Sequence, residues 1–147
     1  MIKDRKKLAG ALIALNLAFI WGNSLMNGTD SGNMSGGIMA WLNRFLGLGP
    51  AGEEILHHLI RKAAHFTEFA CLGALLGWYR CLVTRKYEIV MPVLLGMAAG
   101  LVDETIQLFT PDRGPSLTDV WIDTSGALTG IMLLVLGHHL IKRKHNR

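Results

Sequence analysis

The sequence predicts an all-α membrane protein: four transmembrane helices forming one domain over residues 1–147, with both termini in the cytoplasm. Three observations lead there. Hydrophobic residues make up 50% of the chain and charged residues only 18%, a balance that is high for a water-soluble domain and ordinary for a small polytopic protein. Four apolar stretches, near residues 8–25, 63–83, 89–109 and 120–141, each approach the ~20 residues that cross a hydrocarbon core of about 30 Å. Finally, eleven of the fifteen Lys and Arg residues fall on one side of that topology, which the positive-inside rule makes cytoplasmic.

Span one follows Lys3, Arg5, Lys6 and Lys7. It is long, carries Asn16 and lacks a clear small-x-small cleavage site, so it is expected to be retained as a helix rather than removed as a signal peptide. The segment Asn27 to Gly37, "NGTDSGNMSGG", is rich in turn-forming residues and is expected to be an outer loop. Ile38–Leu48 suits a short interfacial helix with Trp41 and Phe45 on one face. Span two is helix-compatible well before the membrane, from Glu53, and ends at the basic group Arg80, Arg85 and Lys86. Cys71 and Cys81 both lie within it and match neither a disulfide nor a zinc pattern; buried, reduced thiols are expected. In span three, Pro92, Gly96 and Gly100 suit close helix packing in lipid. Span four runs towards Lys142, Arg143, Lys144 and Arg147. Topology thus accounts for the basic balance, and nucleic acid is not needed as a partner.

Acidic residues show the reverse asymmetry. Only Asp4 and Glu88 lie on the inner side, and the other nine lie in the outer loops or the outer halves of the spans. Insertion does not require this, since Asp and Glu contribute little to orientation. Counted from their ends, three spans bring polar groups to one outer depth: Lys62, His65 and Glu68 from span two, Asp103, Glu104 and Gln107 from span three, and Asp119 and Asp123 from span four. Spacings of three and four residues make them neighbours on their helix faces. Ionisable groups within a membrane are expensive, at least ~2.5–3.5 kcal/mol at a helix centre, and mark a functional site by default. The loop "TPDRGPSLTD" is stiffened by Pro111, Gly114 and Pro115 and carries Arg113, whose guanidinium suits a phosphate or carboxylate.

Blander readings stand beside these. Asp119 and Asp123 suit the first turns of a helix, and Lys62 with Glu68, or Arg113 with Asp103, would serve as structural ion pairs. Arg61, His57 and His58, and His138 and His139 at the opposite face, are expected at the membrane interfaces.

The segments "RKAAHFTEFACLG", "DETIQLFTPDRG" and "SLTDVWIDTSGALTG", in that order, together with "IWGNSL", resemble the VanZ-like family of small bacterial membrane proteins over about residues 19–130. The resemblance implies a multi-pass protein of the bacterial cytoplasmic membrane. It also implies a link to resistance to the glycopeptide antibiotic teicoplanin, and action on lipids or lipid-linked cell-envelope intermediates. The positions matching the family pattern are His65, Glu68, Asp103, Glu104, Gln107, Arg113 and Asp119. Asp123 stands where that pattern often has Asn, so its ionised form is not expected to be required.

The leading expectation is an enzyme acting on a phosphate-bearing lipid at the outer leaflet. Arg113 and Lys62 would neutralise phosphate. His65 would act as general base or nucleophile, oriented by Glu68 or Asp103, with Glu104, Gln107 and Asp119 completing the acid–base set. No metal motif is recognisable, though a divalent ion held by Asp103, Glu104 and Asp119 is compatible with the composition of the site. The alternative is a non-catalytic accessory protein that binds an envelope lipid or the antibiotic. Ion conduction is disfavoured because Leu72–Leu76, Val93–Met97 and Leu133–Leu136 offer no polar path through the inner half.

Overall fold

The computed structural model describes residues 2–26, 36–37, 40–111 and 113–145. Within them lie four long helices, α1 (Ile2–Leu25), α2 (Pro50–Thr84), α3 (Val90–Gln107) and α4 (Leu117–His145). All four are long and apolar enough to cross a membrane. The described residues contain no strand. The loop expected at 27–37 falls, apart from Gly36 and Gly37, outside the described residues, as do residues 38 and 39. A short helix is present after the loop over residues 40–46. There Trp41 and Phe45 meet edge to face at 5.1 Å, both exposed.

Local chemistry explains most of the helix ends. Pro50 opens α2 behind Gly49, a position where its missing N–H costs nothing. At 35 residues α2 is about 52 Å long, well beyond a hydrocarbon core of about 30 Å, and it starts ahead of Glu53, where its sequence is already helix-compatible. It stops at Arg85, whose backbone is left-handed (φ 61°) and whose N–H returns to the Cys81 carbonyl. Pro92 sits in the first turn of α3, where no helical hydrogen bond is lost. The α3 helix ends two residues before the expected boundary. Beyond Gln107 the N–H groups of Phe109 and Thr110 take the tighter three-residue bonds, to Ile106 and Gln107, as the chain turns into the Pro- and Gly-rich loop. At the start of α4, the Ser116 hydroxyl accepts the Thr118 N–H at 3.2 Å, which satisfies one of the orphan donors of a helix N-terminus.

The helices alternate in direction, so α1 runs parallel to α3 and α2 parallel to α4. The α2/α4 seam is built on glycine. A Cβ at Gly126 would lie 2.4 Å from the Phe66 carbonyl oxygen, one at Gly130 1.8 Å from that of Ala70, and one at Gly73 2.0 Å from that of Ala127. Backbones approach this closely in lipid because hydrophobicity does not drive helices together there, and packing contact must do so. On the α1/α3 side, Ile20, Phe69, Leu72, Leu76 and Ala99 form the core, with Ile13, Leu17 and Trp21 packed against it. The Trp21 indole N–H donates to the Ala99 carbonyl at 3.4 Å. Many large apolar side chains, including Leu15, Phe19, Leu94, Val102, Leu133 and Leu136, point outward, as a lipid-facing surface requires. Cys71 is among the exposed residues and Cys81 is half-buried. This corrects the expectation that both thiols are enclosed: the glycine seam fills the inside of α2, and Cys71 is left on its outer face.

Candidate functional site

Where the end of α1, the end of α3, the middle of α2 and the start of α4 come together, the bundle encloses a polar cluster. Asp103 and Asp123 are both completely buried. The Nδ1 atom of His65 lies 3.8 Å from an oxygen of each. Asp103 is held firmly. Its Oδ1 accepts the Ser24 hydroxyl at 2.5 Å and its Oδ2 accepts the Gln107 amide at 2.8 Å. Asp123 is the opposite case: neither of its oxygens has a hydrogen-bond partner among the described residues. Glycine at position 100 eases its fit against α3. A Cβ there would stand 3.2 Å from Asp123 Oδ2 and 3.3 Å from its Cβ.

A second shelf lies around this centre. Glu68 accepts the Asn23 amide at 3.1 Å, so it faces α1 and not His65. Glu104 uses Oε2 to accept the Ser116 N–H at 2.6 Å, tying the loop before α4 to α3. Lys62 and Asp119 pair at 3.4 Å. Thr110 donates to the Ser24 carbonyl at 3.0 Å. Arg113 reaches over the end of α1, donating from Nε to the Met26 carbonyl at 3.1 Å and from Nη2 to the Asn23 carbonyl at 2.8 Å. Burial holds the Arg113 guanidinium below its usual pKa, and neighbouring Arg61 pushes the same way, while Asp103, Glu68 and Glu104 pull it back. Two guanidinium groups therefore stand within electrostatic reach of each other at the mouth of an acidic cluster. Arg61 makes no hydrogen bond or ion pair among the described residues.

Against the sequence expectations, His65, Asp103 and Gln107 converge as foreseen, and Glu68, Glu104, Asp119, Lys62 and Arg113 ring them. The pairings differ. Lys62 pairs with Asp119, not Glu68, because the side chain of Lys62 points towards the incoming α4. Arg113 is committed to α1 carbonyls in place of Asp103. Asp119 is part of that ion pair, and Ser116 supplies the hydroxyl contact at the helix start. Asp123, set aside on the family pattern, is at the centre. The set expected for a metal, Asp103, Glu104 and Asp119, gives way to His65, Asp103 and Asp123, whose potential ligand atoms all lie within 4.8 Å of one another. Asn23, Ser24 and Thr110 were missed. The first two lie in the "IWGNSL" segment, but only the contact between α1 and α3 shows what they touch.

Fold and site together define a multi-pass membrane protein that encloses ionisable groups within its helix bundle. The chain belongs to the VanZ/LLP1 family, whose model matches residues 9–138. Comparison with curated proteins and with solved structures gave no match.

Proposed function

We propose that this protein acts on a phosphate-bearing lipid or lipid-linked cell-envelope intermediate at the outer leaflet of the bacterial cytoplasmic membrane. The observation that carries the reading is the enclosure of His65 between Asp103 and Asp123, one of them fixed by two hydrogen bonds and the other by none. Burying carboxyl groups without partners is destabilising, and structure alone gives no reason for the second acid. In the proposed chemistry Asp103 orients the imidazole through Nδ1, leaving Nε2 to accept a proton from an attacking hydroxyl or water. Arg61 and Arg113 would neutralise the phosphate as negative charge develops. This moves the charge-neutralising role from Lys62, which Asp119 occupies, to Arg61.

An apolar crevice supports a lipid as the ligand. It is about 260 Å³ in volume and is lined by Leu17 and Trp21 of α1, Leu72 and Leu76 of α2, and Leu95, Ala99 and Val102 of α3, among others. Ala99 and Val102 lie within one turn of Asp103, so a chain in the crevice would bring its headgroup to the cluster. The outward orientation is supported by the Lys and Arg excess at the far ends of all four helices. The link to teicoplanin resistance follows from the family name.

The experiment compares lipid extracts by mass spectrometry from cells producing wild type, His65→Ala or Glu68→Gln at matched membrane levels. A lipid or lipid-linked precursor that changes with wild type and not with His65→Ala supports catalysis and names the substrate class. Identical profiles at equal protein level would reject catalysis in favour of a binding protein.

A further inference from the structure

We infer that His65, Asp103 and Asp123 form a three-ligand site for a divalent transition-metal ion, with zinc the best match. This deepens the reading of the site given above and rests on it. The ligand atoms are His65 Nδ1, Asp103 Oδ2 and Asp123 Oδ1, with the imidazole nitrogen 3.8 Å from each oxygen. Bonds of about 2.1 Å to a tetrahedral ion place ligand atoms about 3.4 Å apart. The imidazole therefore needs to close on each oxygen by only a few tenths of an ångström, and the three groups offer ligand atoms that all lie within 4.8 Å of one another. One imidazole and two carboxylates suit zinc better than the all-oxygen sites of magnesium or calcium.

Asp123 is the independent sign of a ligand. It is completely buried, its two oxygens lack hydrogen-bond partners among the described residues, and Oδ1 is directed at His65. Gly100 leaves room for it where any side chain would crowd it. A dication with two carboxylates and a neutral imidazole sums to zero charge, which removes the main cost of enclosing two acids. The surrounding hydrogen bonds fit the same role. Ser24 and Gln107 fix Asp103 from both oxygens, as outer partners of metal-bound carboxylates do. Three protein ligands leave a fourth position for water or a phosphoryl oxygen, the arrangement of catalytic rather than structural zinc. The ion would stand where the Nδ1 proton stands in the acid–base scheme. The imidazole would then carry its proton on Nε2, and the base would be a water at the open position, which zinc would make more acidic, in place of His65.

The test is metal binding by the full-length protein purified in detergent, stripped with chelator and titrated with zinc chloride. Bound metal is read by mass spectrometry and by the shift in thermal midpoint. Wild type and Glu68→Gln are expected to retain about one tight zinc per chain and to melt at higher temperature with it. Gln107→Ala should bind about 10- to 100-fold more weakly, and Asp123→Asn should lose the tight site. Exposed histidines contribute only a weak background common to all forms. Zinc binding by Asp123→Asn equal to wild type, or no tight zinc and no thermal shift in wild type, would overturn the site. Lipid profiles from the same strains separate the two readings. Tight zinc without any lipid change would reject the enzyme and keep the metal. A lipid conversion that survives chelation with no tight zinc would reject the metal and keep the enzyme.

Discussion

The two ends of this bundle handle charge in opposite ways. At the basic end Arg80 pairs with Glu88 through both Nε and Nη2, with the two side chains 28% and 36% exposed. The Tyr87 ring packs on His138 at 4.9 Å, and His138 meets His139 at 6.2 Å. Arg80, Glu88, Tyr87, His138 and His139 thus each have a near neighbour. At the other end, Asp103 and Asp123 are buried with a single histidine between them, and Glu104 Oε1 and both Asp123 oxygens have no hydrogen-bond partner among the described residues. A helix end in a membrane needs nothing more than the first arrangement. The second holds more buried acid than folding requires, and an uncompensated cost of this kind is how a functional site differs from a helix terminus.

The largest effect separates packing from chemistry altogether. Replacing Gly130 by Ala drives a Cβ to 1.8 Å from the Ala70 carbonyl oxygen, which only a shift of α2 against α4 can relieve. The expected cost is about 3 kcal/mol or more, read as a fall in thermal midpoint and in membrane yield. Gly137→Ala, nearer the basic end of the same helix, meets nothing within 4 Å. It should gain up to about 1 kcal/mol from helix propensity. Equal melting of the two variants would show that the glycine seam does not hold the bundle together.

Next in size is the split between stability and activity at the cluster. His65→Ala and Asp123→Asn are expected to lower lipid conversion by about 10²- to 10⁴-fold. Asp123→Asn should leave the metal-free thermal midpoint at or above that of wild type, because it replaces a buried acid whose oxygens lack hydrogen-bond partners among the described residues. A variant that instead loses its fold along with its activity would make Asp123 a structural residue. The contrast between the two ends would then disappear.

The fold was the more legible part. Length, hydropathy and the alternation of Lys and Arg suffice for four helices, since a bilayer allows few alternatives to a spanning helix. Ends set by local chemistry, such as Pro50, also follow from the chain. The depth of the polar groups was equally readable, because a helix converts residue number into distance. What the sequence did not reveal was rotation: which face of each helix meets which neighbour. Lys62 has no acid three or four residues away on its own helix, so its partner had to come from another element, and only the approach of α4 gives it Asp119. Ser24 looks like any small polar residue at a helix end until α1 lies beside α3. Asp123 was discounted on a different ground, the Asn often found there in the family pattern, and only its enclosure beside His65 brings it to the centre.

The smaller effects test that contrast pair by pair. Ser24→Ala removes a buried donor from Asp103 and is expected to cost about 1.5–3 kcal/mol, the range for a hydrogen bond to a charged group. Thermal melting in detergent reads it, and the loss should be little affected by salt because the pair is enclosed. Arg80→Ala at the basic end should cost about 1 kcal/mol or less, because water solvates both partners and competes with the pair. Raising ionic strength should shrink that loss further. A double-mutant cycle with Glu88→Gln isolates the coupling from the packing of the Arg80 stem. If the Arg80–Glu88 coupling equalled or exceeded the Ser24–Asp103 coupling, burial would not be what distinguishes the two ends. The acids of the site would then have to be explained by charge count alone.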